Sequence, residues 1–140
     1  MTVRVPLVEQ RDASYDILIG RSLLRELEQI LAKYCRASAY AIISDSHVAK
    51  LYGESLARQM SGAGCQVELL MFPAGEWNKN RDTWAWLSDR MLSAHFGRDC
   101  AVLALGGGVV NDVAGFVAAT YLRGVPLVQI PTSLLAMIDS

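Results

Sequence analysis

The sequence predicts an α/β fold of the Rossmann-like, doubly wound type, with a mostly parallel sheet, helices on both faces and an N-terminal β-hairpin. Two observations lead to this prediction. Short apolar runs without charges, such as residues 39–43 and 100–105, alternate with segments whose apolar residues recur at helical spacing. A small polar or glycine-rich stretch follows each run. Buried strands that alternate with amphipathic helices are typical of βαβ units and of a parallel sheet covered on both faces.

The beginning of the chain has the alternation of a two-stranded hairpin. Every second residue is apolar within 3–7 and again within 15–19, on either side of a polar break. This period of two predicts two paired strands. Ser22 then precedes apolar residues at helical spacing through 24–34, and we expect it to cap a first helix.

The remaining elements are predicted to alternate strictly. The predicted strands cover residues 39–43, 66–72, 100–105 and 126–130, and the clearest helices cover residues 80–94 and 109–122. A last helix opens at 131–133 and reaches Ser140 without a C-cap glycine. We therefore expect residues 1–140 to be one domain and a fragment of a longer protein.

Composition excludes several classes of protein. Thirteen basic and 14 acidic residues give a formal charge of −1, so the chain lacks the basic surface of a nucleic-acid or anionic-membrane binder. No apolar run has the length of a membrane span or of a signal peptide core. Three scattered cysteines indicate buried thiols in a reducing compartment, so we expect a cytoplasmic protein. The hydrophobic share of 52% suggests a buried sheet and a further apolar face that meets a partner.

The strongest local signal is the run Gly106-Gly107-Gly108 between a strand and a helix. Glycines let the backbone approach a ligand closely, and the helix start offers N–H groups that suit a pyrophosphate. The alternative is a tight connection without a ligand, for which one glycine would suffice. The run is neither the standard dinucleotide fingerprint, since Asn111 stands where its third glycine is wanted, nor a P-loop, since no Gly-Lys-Ser/Thr follows.

The polar residues that follow the other strands each have two interpretations. Asp45 is expected to cap a helix or to bind ribose hydroxyls, and Asp112 to compensate a helix dipole or to contact a ligand. Glu76 and Lys79 flank a turn, where they form a solvated pair or belong to a site.

Later in the chain, Thr132 and Ser133 are either helix caps or site residues, and Arg123 is most simply a basic residue at a helix end. Asp139 lies in an otherwise apolar stretch, where a carboxylate is costly unless it is paired or faces a cleft. His47 and His95 have no metal-ligand spacing, so we expect no metal site within this chain.

A family resemblance runs from about residue 12 to the end of the chain and is dense from residue 101 on. The segments GGGVVND, FVAATYLRG and PTSLLAMIDS within 104–140 resemble the 3-dehydroquinate synthase family of the sugar-phosphate cyclases. The turn Pro73-Ala74-Gly75-Glu76-x-x-Lys79 and the strand-end Asp45 agree with that family in order and spacing. The resemblance implies an NAD-binding N-terminal domain, with a helical domain that supplies a zinc or cobalt site from residues outside this chain.

The resemblance also implies roles for individual residues. It places Asp45, Glu76 and Lys79 at the adenosine side of NAD, Gly107 and Gly108 at the pyrophosphate, and Asp112, Thr132 and Ser133 around the nicotinamide half. It implies that Asp139 lies at the substrate and that Arg123 reaches the substrate phosphate across a homodimer interface. The implied reaction converts 3-deoxy-arabino-heptulosonate 7-phosphate to 3-dehydroquinate and phosphate, and we expect the 140-residue chain alone to be inactive.

Two departures from the family pattern leave other functions open. Asn111 replaces a common glycine and Ser133 a frequent threonine. A related cyclase with another sugar phosphate and a metal-dependent polyol dehydrogenase are the enzymatic alternatives. A non-catalytic nucleotide-binding module is the alternative of a different class.

Overall fold

The structure is a computed structural model that describes residues 14–138. Its centre is a four-stranded parallel sheet in the order β2-β1-β3-β4. The strands are β1 (Ala39–Asp45), β2 (Gln66–Phe72), β3 (Ala101–Gly106) and β4 (Leu127–Pro131). Each predicted strand from residue 39 onward is confirmed, within one or two residues at its ends. The two central strands, β1 and β3, are buried almost throughout, as their uninterrupted apolar sequences predict.

Helices cover both faces of the sheet. They are α1 (Leu27–Tyr34), α2 (Ser46–Val48), α3 (Glu54–Gly62), α4 (Arg81–Ser93), α5 (Gly108–Thr120) and α6 (Leu134–Ile138), with a π-helical turn Ala49–Gly53 between α2 and α3. One core cluster joins α4 and α5 to the sheet through residues such as Phe72, Met91 and Val113. The other joins α1 and α3 to the opposite face, with Leu31 and Ile42 among its members. The predicted doubly wound α/β class is therefore confirmed.

Two local predictions near the beginning of the chain differ from the structure. Residues 14–20 belong to no helix or strand, and the first half of the predicted hairpin lies outside the described residues. Alternation shows which side chains would share a face, but a strand also needs a hydrogen-bonded neighbour. Ser22 makes no side-chain cap; its own φ is 60°, and its carbonyl accepts the Arg25 N–H at the start of the 3-10 turn Leu23–Glu26.

Several apolar side chains remain exposed, as the composition suggests. On α6, Leu134, Leu135, Met137 and Ile138 are each more than 60% exposed. No helix in the part of the chain that the structure describes combines the length and the apolar character needed to cross a membrane. The exposed side chains of α6 belong to a five-residue helix that follows the last strand.

The end of α4 provides a test of the backbone geometry. His95 follows this helix with a φ of 59°, and the Phe96 N–H donates to the Met91 carbonyl in the manner of a glycine C-cap. A left-handed conformation costs a residue with a side chain about 1 kcal/mol. We expect His95→Gly to raise the free energy of unfolding by about 1 kcal/mol in urea denaturation.

Ala32→Gly is the matched control for His95→Gly. Ala32 is an exposed residue inside α1, where glycine costs about 1 kcal/mol of stability. The two substitutions should therefore shift the urea midpoint in opposite directions. A lower midpoint for His95→Gly would show that His95 is not held in the left-handed conformation.

Candidate functional site

The C-terminal ends of the four strands lie side by side. Asp45 pairs with Phe72, Ser44 with Leu105, and Gly106 with Pro131, so the last residues of all four strands stand at one level. The segments that leave these ends contain most of the polar residues predicted for the site. In open parallel sheets, ligands bind beyond the carboxyl ends of the strands. This row of strand ends is therefore the candidate site.

The three glycines at the end of β3 have different roles. A Cβ on Gly106 would lie 2.4 Å from a methyl group of Val110, so this glycine is required for the packing of α5 against its own strand. A Cβ on Gly107 would lie 3.5 Å from Ser133 Oγ, and a Cβ on Gly108 would meet nothing within 4 Å. The space in front of Gly107 and Gly108 is thus open to a ligand, while the tight-connection alternative accounts for Gly106 alone.

The start of α5 faces this open space. Gly107 is its N-cap residue, in an extended conformation, and has no side chain to cap the first N–H groups. The first side chain with a donor or an acceptor on this helix is that of Asn111, which is buried and whose own N–H donates to the Gly107 carbonyl. The helix start is therefore able to donate backbone hydrogen bonds to an anion.

Thr132 and Ser133 lie beside the glycine loop, Gly106–Gly108. The Thr132 N–H donates to the Gly106 carbonyl at 2.9 Å, which continues the strand pairing one residue beyond β4. Ser133 Oγ accepts the Ala136 N–H at 3.3 Å and so caps α6. The cap interpretation of Ser133 is therefore correct, and its hydroxyl also borders Gly107.

Asp45 also caps a helix, with one of its two carboxylate oxygens. The N–H groups of His47 and Val48 donate to Asp45 Oδ1 at 2.8 and 2.9 Å. Within residues 14–138, no hydrogen bond to Oδ2 is found. One oxygen is thus used in the fold, and the other is available to accept from a ligand hydroxyl.

Glu76 and Lys79 lie on the turn that follows β2. Gly75 has a φ of 121°, which favours glycine, and the Lys79 N–H donates to the Glu76 carbonyl at 3.0 Å. Ser46 Oγ accepts the Ala74 N–H at 3.1 Å and ties this turn to the segment after β1. Ser46 was not among the predicted site residues; its position next to Asp45 was the available signal.

Lys79 joins this turn to the glycine-loop helix. Its ammonium group contacts Asp112 Oδ2 directly and lies 3.9 Å from Glu76 Oε1. The hydrogen bond to the Asp112 carboxylate raises the pKa of Lys79. Each side chain of the Lys79–Asp112 pair is 45% exposed, so the pair is accessible to solvent and to a ligand. No sequence spacing predicted this contact, because it forms across β1 between the segments that follow β2 and β3.

Arg123 lies at the other end of the sheet. It precedes β4, whose first residue Leu127 pairs with Val102 near the start of β3. Four residues of strand separate that level from Gly106, a distance of about 13 Å. Arg123 therefore lies at the end of the sheet opposite to the candidate site of its own chain. Within residues 14–138 it has no ion-pair partner.

Two further predictions concern Asp139 and the absence of a metal site. Asp139 is beyond the described residues. Within residues 14–138, no group of three or more histidine, cysteine, aspartate or glutamate side chains is placed to hold a metal ion.

Comparisons with known proteins agree with one another. The 3-dehydroquinate synthase of Caulobacter vibrioides is 43% identical over an alignment of 140 positions, which covers 99% of this chain and 37% of that protein. The chain thus spans little more than a third of the length of this relative. Among solved structures, ValA, the 2-epi-5-epi-valiolone synthase of Streptomyces hygroscopicus with NAD+ and Zn2+ bound, gives a TM-score of 0.79 at 34% identity. The match covers 96% of this chain and 37% of the ValA chain.

A second solved structure is 2-deoxy-scyllo-inosose synthase in complex with carbaglucose-6-phosphate, NAD+ and Co2+. It gives a TM-score of 0.75 at 32% identity, over 86% of this chain and 33% of that one. Residues 69–140, just over half of the chain, match the family model described as 3-dehydroquinate synthase N-terminal. The matched region contains β3, the glycine loop, α5 and the Lys79–Asp112 pair. This chain therefore belongs to the 3-dehydroquinate synthase N-terminal family.

Proposed function

We propose that this chain is the NAD-binding part of a 3-dehydroquinate synthase, which converts 3-deoxy-arabino-heptulosonate 7-phosphate to 3-dehydroquinate and phosphate. The observation that carries the proposal is the open space in front of Gly107 and Gly108, at a helix start without a capping side chain. A pyrophosphate in that space accepts hydrogen bonds from the first N–H groups of α5.

The neighbouring residues fit the two ends of NAD. On the β2 side, Asp45 Oδ2 is available to a ribose hydroxyl, and Glu76 and Lys79 lie on the adjoining turn. Asp112 lies on α5, and on the β4 side the Ser133 hydroxyl borders Gly107. Two relatives of known structure were solved with NAD+ bound, which supports the same cofactor here. NAD supplies the hydride chemistry, and these residues bind and orient it.

The described residues do not fit a divalent metal, because no cluster of suitable ligands occurs among them. The Co2+ or Zn2+ ion of the two solved relatives would therefore take its ligands here from outside residues 14–138.

The position of Arg123 supports a homodimer in which each chain supplies this arginine to its partner. Arg123 stands about 13 Å or more from the level of its own glycine loop, at the far end of the sheet. It is exposed, and its backbone φ of 77° follows a φ of 47° at Leu122. Two consecutive left-handed residues with side chains are costly, and such strain is concentrated at functional sites. A guanidinium group is well suited to a sugar-phosphate substrate.

A related sugar-phosphate cyclase is the second candidate function. The two solved relatives are cyclases of this kind, and Asn111 lies on the first turn of α5, where a glycine is common in the synthases. The full-length protein should be given the heptulosonate phosphate and, separately, other sugar phosphates, with released phosphate as the readout. Release from the heptulosonate alone supports the synthase.

The expected cytoplasmic location stays a prediction, consistent with three free cysteines.

Gly108→Ala tests the cofactor site. A methyl group at this position enters the open space without touching the protein, and alanine is a good helix former, so stability should be kept. NAD affinity should fall about tenfold or more, because the methyl group takes the place of the pyrophosphate. Isothermal titration calorimetry of the full-length protein with NAD measures this change.

Two other glycines provide the controls. Gly62→Ala, at the end of α3 and also in open space, should leave NAD affinity unchanged. Gly106→Ala should destabilise the fold by about 1–3 kcal/mol, because its methyl group overlaps Val110. Unchanged NAD affinity in Gly108→Ala would exclude the glycine loop as the pyrophosphate site.

Mixed dimers test the placement of Arg123. Arg123→Ala and Asp112→Ala should each inactivate the full-length enzyme. If Arg123 acts in the partner's site, a heterodimer of the two variants has one site with both residues intact. An equal mixture, unfolded and refolded together, should therefore recover about a quarter of the wild-type activity.

The outcome distinguishes action in trans from action in cis. If Arg123 served its own chain, every site in the mixture would lack one residue, and activity would not return. Arg98→Ala is the matched control, because this exposed arginine lies at the same end of the sheet, in the loop before β3. It should retain activity.

A further inference from the structure

The Lys79–Asp112 ion pair connects residues that the resemblance assigns to opposite halves of NAD. Lys79 follows β2, on the adenosine side, and Asp112 is on α5, on the nicotinamide side. Their side chains are nonetheless in direct contact. A charge pair thus already joins the two halves of the candidate site, through α5, the helix that begins at Gly108.

This contact limits what Lys79 can do for a phosphate. An ammonium group has three donors, and here it is engaged by the Asp112 carboxylate, with Glu76 further away at 3.9 Å. Two donors remain, but the Asp112 carboxylate already neutralises the ammonium charge, so a phosphate that binds Lys79 competes with Asp112 for the same positive charge. A nucleotide without a second ribose offers Asp112 no donor in exchange, whereas a dinucleotide brings hydroxyl groups that Asp112 can accept from.

We propose that Asp112 makes the site selective for an intact dinucleotide over adenine mononucleotides, because it holds Lys79 until a second ribose takes its place. The proposal rests on the proposed function, since it concerns the same cofactor site. Asp112 is a specificity-determining residue in this scheme, and Lys79 exchanges the carboxylate for a phosphate oxygen. No covalent step is involved.

The size of the effect follows from the exposure of the pair. Solvent-exposed ion pairs contribute little, and releasing one corresponds to a change of about two- to fivefold in a dissociation constant. The discrimination between NAD and ADP is therefore modest, and the direction of each change in affinity is what tests the proposal. Removing the negative charge of Asp112 is expected to strengthen the binding of ADP and to weaken that of NAD.

The experiment compares ADP, nicotinamide mononucleotide and NAD as ligands of the full-length protein, by isothermal titration calorimetry. For Asp112→Asn, which keeps the size of the side chain, the dissociation constant for ADP should fall about two- to fivefold. The constants for nicotinamide mononucleotide and NAD should rise. Asp89→Asn, an exposed acidic residue of α4 outside the ion pairs, removes the same charge and should change none of them.

A double-mutant cycle separates release of Lys79 from a general loss of negative charge. Lys79→Met should weaken ADP binding, and adding Asp112→Asn to it should have no further effect on ADP. The same gain for ADP in the presence of Lys79→Met would overturn the proposal, since it would reflect charge repulsion alone. An ADP affinity that Asp112→Asn leaves unchanged, including no detectable binding in either protein, would also overturn it.

The proposed function fails in a different way. A wild-type protein that does not bind NAD contradicts the cofactor site and this inference together. A wild-type protein that binds NAD while Asp112→Asn does not gain affinity for ADP contradicts the inference alone.

Discussion

The common register of four parallel strands is the constraint on which the candidate site depends. Because the strands end at one level, the turns after β1 and β2, the glycine loop and the segment after β4 all leave the same edge of the sheet. Both faces of the central strands are covered by helices, so this edge is where polar groups meet solvent without a desolvation cost. A shift of register by one residue would also exchange the two faces of a strand and expose its core side chains.

The architecture could be predicted because the central strands are buried on both faces. Their sequences are continuous apolar runs, and the ends of such runs are marked by glycine, proline or small polar residues. The N-terminal alternation was a weaker signal, because it is local, whereas a strand is defined by its partner. Ser22 failed as a cap for a similar reason: residue type indicates that a cap is possible, but the backbone of Ser22 adopts φ 60° and turns into a 3-10 segment.

The sequence indicated which residues gather at the candidate site better than it indicated the contacts between them. Asp45 and Ser133 had two interpretations each, and the structure places both at helix caps while leaving Asp45 Oδ2 available. The different roles of the three glycines could not be read from the sequence, because they depend on where Val110 and Ser133 pack. The Lys79–Asp112 contact was equally inaccessible, since it joins residues 33 positions apart through the pairing order of the sheet.

The turn at Leu122–Gly124 carries backbone strain that bears on the proposed homodimer. Three consecutive residues have positive φ, and the turn is held on both sides: the Val125 N–H donates to the Ala118 carbonyl, and Tyr121 Oη donates to the Phe96 carbonyl within the core. The conformation persists because the surroundings over-determine it. A connection between α5 and β4 needs no such strain if its only task is to reverse the chain, since a glycine at each position would remove it. The exposed guanidinium of Arg123 is what this turn presents, at the end of the sheet that its own glycine loop does not occupy. In the homodimer proposed above, the two-fold axis would carry that end of one chain to the site of the other, and the same strained turn would serve both sites.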